Sequence, residues 1–252
     1  METQTLRRVG HKGADLIAPG NTRPSFDAAL AAGVDMIEFD IVPEEPHDPE
    51  VRKAVLAGRP PADVKLVLAH DWVDAGKRIP ATIEEGLDYL ASAPFDAVEL
   101  DVDLKLPGYE LRVVDALRER GLLERSLIST QYVGSLAAIR KAEPGARLGW
   151  SVPRLSRDPF RSPLLAPAGH AAVAFGRVVL PGRAAAMIRA GRCNALMSQW
   201  RLVTPRLVRS VRDAGGELYV WTVDELPRIR ALDALGVTGV ITNDPRLFAA
   251  LA

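Results

Sequence analysis

At 252 residues, with 48% apolar and 25% charged side chains, the chain can bury a full core and fits one large domain or two small ones. Its 32 basic and 32 acidic residues cancel, so no overall charge argues for nucleic acid or a membrane surface as main partner, while a small anionic substrate needs only local positive charge. Cys193 is the single cysteine, which excludes an internal disulfide framework and fits a reducing compartment.

The N-terminus, Met1 to Val9, has no apolar leader segment and runs at once into a predicted strand, so a cytoplasmic protein is expected. Short β-branched runs then alternate with helical patterns to the C-terminus, the mark of repeated βα units on a parallel sheet. Strands are predicted at 6–11, 34–42, 64–69, 97–105, 126–130, 147–152, 194–198, 217–223 and 238–242. Asn21 or Thr22 caps the first helix and Gly33 stops it. Thr82 and Glu85 form a capping box, Gly121 closes a helix, and Thr204-Pro205 opens another.

Nine strands are one too many for an eight-stranded barrel. The extra one is 64–69, because Pro43 to Asp63 is acidic, carries five prolines and makes a poor crossover helix. The expected architecture is a TIM (β/α)8 barrel, residues 1–252 as one domain, with a small insertion carrying the extra strand between the second barrel strand and its helix. An open doubly wound sheet is the alternative.

Two segments break the rhythm. Pro43 to Pro61 reads as a solvated excursion. Pro153 to Pro167 is proline-rich, and from Pro159 to Arg212 there are nine arginines and no acid. Helices whose arginines face water explain that bias, and so does a basic, partly apolar lip for a lipid-derived anion. The longest nearly apolar stretch, Leu164 to Gly176, is 13 residues. A membrane helix needs about 20, so no stable membrane insertion is expected.

The chemistry concentrates before residue 106. Glu38 and Asp40 are two residues apart on one strand and share a face, with Ile37, Phe39 and Ile41 on the other. Glu99, Asp101, Asp103 and Lys105 repeat the pattern, too many polar groups on one face for a plain core. His11 and His70 end their strands. Carboxylates packed together inside a barrel repel unless a cation or proton lies between them, and strand C-termini are where barrels carry active sites. The set suits metal-assisted cleavage of a phosphate ester, with one histidine accepting and the other donating a proton. A Schiff-base aldolase built on Lys105 and a non-catalytic phosphodiester-binding barrel are the rivals.

In chain order, His11-Lys12-Gly13, Pro19-Gly20-Asn21-Thr22, Ser25-Phe26, Ile37-Glu38-Phe39-Asp40, His70-Asp71, Asp101-Val102-Asp103-Leu104-Lys105, Trp221-Thr222-Val223 and Thr242-Asn243-Asp244-Pro245 resemble the motifs of glycerophosphodiester phosphodiesterases. The resemblance implies a barrel of the phosphatidylinositol-phospholipase-C type and hydrolysis of glycerophosphodiesters to glycerol 3-phosphate and an alcohol. A differently specific, lysophospholipase D-like activity is the variant. It makes His11 and His70 the acid/base pair, and Glu38, Asp40 and Asp103 the ligands of one Mg²⁺ or Ca²⁺. Lys12, Lys105 and Trp221 become substrate contacts. Three residues depart from the family pattern: Lys12 replaces Arg, Gly20 replaces Glu, and Asp103 replaces Glu. A missing Arg–Glu pair suggests a Lys12 that touches phosphate directly, and Asp103 reaches less far by about 1.5 Å.

Overall fold

Alternation of side chains along each strand decides what faces the helices and what faces the barrel axis. The computed structural model describes residues 5–154, 160, 162 and 165–251. Its strands are β1 (Arg7–Gly10), β2 (Met36–Pro43), β3 (Leu66–Leu68), β4 (Glu99–Leu104), β5 (Ser126–Thr130), β6 (Arg147–Val152), β7 (Ala195–Gln199), β8 (Glu217–Trp221) and β9 (Gly239–Thr242). Eight of them, all but β3, pair in parallel and close through β1 against both β2 and β9. β3 lies outside the ring, antiparallel to the end of β2. This is the TIM barrel, and the extra strand sits where its acidic, proline-rich approach predicts.

Between the ring strands run α1 (Arg23–Ala31), α2 (Pro49–Leu56), α3 (Trp72–Ala75), α4 (Ile83–Leu90), α5 (Glu110–Glu119), α6 (Val133–Ala142), α7 (Ala166–Arg189), α8 (Pro205–Arg212) and α9 (Leu226–Leu235). Thr22 caps α1 in a reciprocal box with Ser25, Thr82 and Glu85 cap α4 likewise, and Thr204 caps α8. Ile37, Phe39 and Ile41 pack with these helices in the outer core. A second apolar cluster fills the barrel axis: Val9, Met36, Leu127, Ala195, Met197, Tyr219 and Ile241.

Two expectations need correction. The excursion after β2 is not wholly irregular, because Asp48 accepts the Glu50 and Val51 N–H groups and nucleates α2, which buries only Val55. The apolar stretch beginning at Leu164 does not stop at Gly176 either. It continues through Pro181 as the 24-residue α7, the one described helix long and apolar enough by length and composition to cross a membrane. Its second half is committed elsewhere, with Leu180, Pro181, Ala184, Ala185, Met187 and Ile188 buried against the barrel. The proline-rich run before it falls largely on 155–159, 161, 163 and 164, outside the described residues.

Candidate active site

Register places the acids in layers. β2 and β4 pair Glu38 with Asp101 and, one layer nearer the strand ends, Asp40 with Asp103. Glu38, Asp40 and Asp103 each offer an oxygen within 4.8 Å of the others. A cavity of about 430 Å³ opens over them, lined by His11, His70, Lys105 and Trp221 as well as Glu38, Asp101 and Asp103. Sequence separations of up to 210 positions are thereby closed, and every predicted site residue except Lys12 and the fully buried Asp40 lines that one cavity.

Lys105 is the internal cation. Its Nζ lies 2.6 Å from Asp40 Oδ1 and 2.5 Å from Asp103 Oδ2. It lies between two carboxylates and also lines the cavity. Burial lowers its pKa, but Asp103, Asp40 and Glu38 more than reverse that and hold it well above the ordinary lysine value. A Schiff-base lysine needs the opposite shift, so the aldolase reading loses its nucleophile.

One ammonium does not neutralise four carboxylates. Burial, then the charge of Asp40, pushes Glu38 well above its ordinary range. Asp101 accepts the Ser129 hydroxyl at 2.7 Å, yet burial pushes it up to about 8. Asp103 is raised by burial and by Asp40 despite Lys105. Only Asp40 ends below the carboxylate range, because Lys105, His70 and His11 outweigh the cost of its burial.

The oxygens that face this deficit are underused. Asp103 Oδ1 is buried with no hydrogen-bond partner, and Asp40 Oδ1 meets Lys105 without hydrogen-bond geometry. Buried polar atoms are rarely left so. Three hard oxygen donors on three side chains around one point, with Asp103 Oδ1 left without a hydrogen bond, fit a divalent cation such as Mg²⁺ or Ca²⁺.

The loops after the strands hold the site's shape. Asn21, at φ +59°, accepts the Asp40 N–H through Oδ1 and donates from Nδ2 to Asp40 Oδ2, both at 2.9 Å. Lys12, at φ +50°, donates its N–H to Glu38 Oε2 at 2.7 Å. Non-glycine residues seldom adopt such angles, and here two of them orient two adjacent acids. Lys12 Nζ is held 3.0 Å from Asp15 Oδ2, and Asp15 Oδ1 accepts the Gly20 N–H at 2.8 Å. A Cβ at Gly20 would lie 2.6 Å from that carboxylate. Lys12 is thus paired with Asp15, and the missing side chain at Gly20 leaves room for that carboxylate.

The two histidines are held differently. His11 is largely buried, and burial lowers its pKa to about 4 against the pull of Asp40. Its Nδ1 lies 2.6 Å from Asn243 Oδ1, and Asn243 donates through Nδ2 to Asp224 at 2.7 Å. This chain leaves Asn243 only its oxygen to offer, so Nδ1 carries the proton and Nε2 keeps its lone pair. His70 is about half exposed, with Nδ1 3.1 Å from Asp71 Oδ2. Asp71 also caps α3, which fixes its carboxylate and lowers its pKa against the cost of burial. Trp221 ends β8, packing on the axial cluster below and lining the cavity above.

Sequence reasoning missed Asp15, Asp224 and the holding role of Asn21 and Asn243. The signal available was positional: Asp15, Asp224 and Asn243 lie within five residues of a strand's C-terminal end, and Asn21 lies in the same loop as Asp15.

Comparison with known proteins agrees with this geometry. Residues 109–247, more than half of the chain, match the model of the Glycerophosphoryl diester phosphodiesterase family. A glycerophosphodiester phosphodiesterase of Caldanaerobacter subterraneus is 26% identical over 94% of this chain and 93% of its own. A glycerophosphodiester phosphodiesterase of Parabacteroides distasonis superposes with a TM-score of 0.69 at 15% identity, covering 99% of this chain and 100% of that one. A phosphodiesterase of Oleispira antarctica, solved with its product sn-glycerol-3-phosphate, gives a TM-score of 0.64 at 18% identity over 97% and 96%.

Proposed function

The chain belongs to the glycerophosphoryl diester phosphodiesterase family, and we propose that it hydrolyses glycerophosphodiesters to glycerol 3-phosphate and an alcohol by metal-dependent, two-histidine acid–base catalysis. The observation that carries this reading is the crowding of Glu38, Asp101 and Asp103 around one cavity, with Asp40 buried beneath it and Lys105 between Asp40 and Asp103, flanked by His11 and His70. The Oleispira protein holds the product named here, which supports the choice of substrate class.

Glu38, Asp40 and Asp103 would hold one Mg²⁺ or Ca²⁺. Such an ion supplies Lewis-acid polarisation of a phosphoryl oxygen and relief of the negative charge. Everything else falls to side chains. His11, neutral at pH 7, accepts at Nε2 the proton of the attacking O–H group. His70, with Nδ1 anchored on Asp71, delivers a proton to the departing alkoxide as the P–O bond breaks. Asn243 and Asp224 keep His11 in the tautomer this requires. Lys105 stays on Asp40 and Asp103 and offsets part of their negative charge. Trp221 walls the cavity against the organic part of the substrate.

The test uses glycerophosphocholine. His11→Ala and His70→Ala should each lower kcat by about 10²- to 10⁴-fold with unchanged circular dichroism, and EDTA should abolish turnover until Mg²⁺ or Ca²⁺ is restored. Binding of glycerophosphocholine without turnover in either metal would instead assign a carrier of phosphodiesters.

A further inference from the structure

The side of α7 turned away from the barrel is apolar where a helix on a protein surface is ordinarily polar. Ala168, Ala171, Phe175, Val178 and Gly182 recur at spacings of three and four, fall on one face, and are all exposed. Phe175 is 71% and Val178 63% exposed, with Val179 and Leu165 beside them. Only a third of the helix's apolar window is buried. The charges flanking the stripe are all of one sign: Arg177, Arg183 and Arg189 on α7, within a run from Pro159 to Arg212 that contains nine arginines and no acid.

Position gives this face a meaning. The first turns of α7 also wall the substrate cavity through Gly169, Ala172 and Val173, so the stripe begins at the mouth. Two other loops at that end of the barrel present apolar side chains to solvent. Leu16, on the loop after His11, is 62% exposed; Val73 and Ile79, on the segment after His70, are 76% and 97% exposed. A second copy of the chain is a poor occupant, because two α7 faces would bring arginines against arginines, and α7 itself carries no acid. A layer of anionic headgroups over acyl chains matches both features: apolar side chains enter the interface while arginines meet phosphates.

We propose that the outer face of α7 docks the protein on an anionic lipid surface, with the mouth of the cavity turned toward that surface. Docking is peripheral, since the inner face of α7 stays packed on the barrel. It does not rest on the catalytic reading; an inactive chain would still bind.

Co-sedimentation of the whole protein with vesicles tests it. The wild type should pellet with phosphatidylcholine vesicles containing phosphatidylglycerol, far less with phosphatidylcholine alone, and less again at high salt. The Phe175→Ser/Val178→Ser and Arg177→Gln/Arg183→Gln variants should each weaken binding by about tenfold, with unchanged circular dichroism and unchanged hydrolysis of soluble glycerophosphocholine. Failure of the wild type to pellet, equal binding to both vesicles, or a dimer in sedimentation equilibrium that Phe175→Ser/Val178→Ser dissociates would overturn the proposal.

Discussion

The two ends of the barrel axis both carry buried and half-buried charge, and they handle it in opposite ways. At the bottom, Arg7, Glu99, Arg147 and Glu217 come from alternate ring strands and form one layer. Arg7 bonds Glu99 at 2.5 Å, and Arg147 bonds Glu99 at 2.7 Å and Glu217 at 3.2 Å. Two positive charges meet two negative ones. At the top, Lys105 faces Glu38, Asp40, Asp101 and Asp103. The first end is balanced and serves to hold the fold; the second is left anionic, which costs stability and readies it for a cation.

Removing Asp40 breaks the comparison most severely. Asp40→Asn should lower kcat on glycerophosphocholine by about 10³-fold or more, a loss of several kcal/mol of charge stabilisation. Ca²⁺ or Mg²⁺ should raise the melting temperature of the wild type but not of this variant. Equal metal-induced shifts in both would detach the acids from any ion.

Lys105→Met removes the cation that lies between Asp40 and Asp103. We expect a loss of about 3–5 kcal/mol, about 10 °C in melting temperature, largely recovered by adding Ca²⁺ or Mg²⁺. No metal dependence of that loss would mean the acids bind protons rather than ions.

At the bottom, Glu99→Gln should cost about 1 kcal/mol, since its partners are partly solvated, and leave kcat unaltered. Burial raises the Glu99 pKa, but hydrogen bonds from Arg7 and Arg147 reverse this and leave it below 4.5. A depressed folded pKa means the contribution is complete above the unfolded value and disappears as pH falls through the folded one. Melting temperatures of wild type and Glu99→Gln should therefore differ at pH 7 and converge below about pH 4.

The smallest effect belongs to the loop after β1. Lys12→Ala and Asp15→Ala should each reduce kcat/KM by about tenfold, and the double variant should do no worse than either, a coupling of about 1 kcal/mol. Additive losses would show that Lys12 acts on substrate independently of Asp15.

Much of this molecule is readable before folding is considered. Strand boundaries at β5 and β6 coincide with those predicted. The period of two puts Glu38 with Asp40, and Asp101 with Asp103, on shared faces. What could not be read is whatever depends on partners far along the chain. That Asp40, 65 residues earlier, lies 2.6 Å from Lys105 is not visible in the sequence. Lys12 looks free until the loop turns Asp15 onto it. α7 was obscured because the apolar stretch ends before Arg177, whereas the helix runs on to Arg189 and buries Leu180, Pro181, Ala184, Ala185, Met187 and Ile188.

By itself, then, the amino-acid order determined the alternation of strands and helices, the acidic faces of β2 and β4, and the two histidines at strand ends, since those follow from local propensity and side-chain period. The tertiary structure alone decided which charges meet: closure of the ring brings β1, β2, β4 and β9 side by side, so that His11 finds Asn243 and Lys105 finds Asp40 and Asp103. Coulombic and desolvation energies depend on distance and burial, and neither quantity is written along a chain.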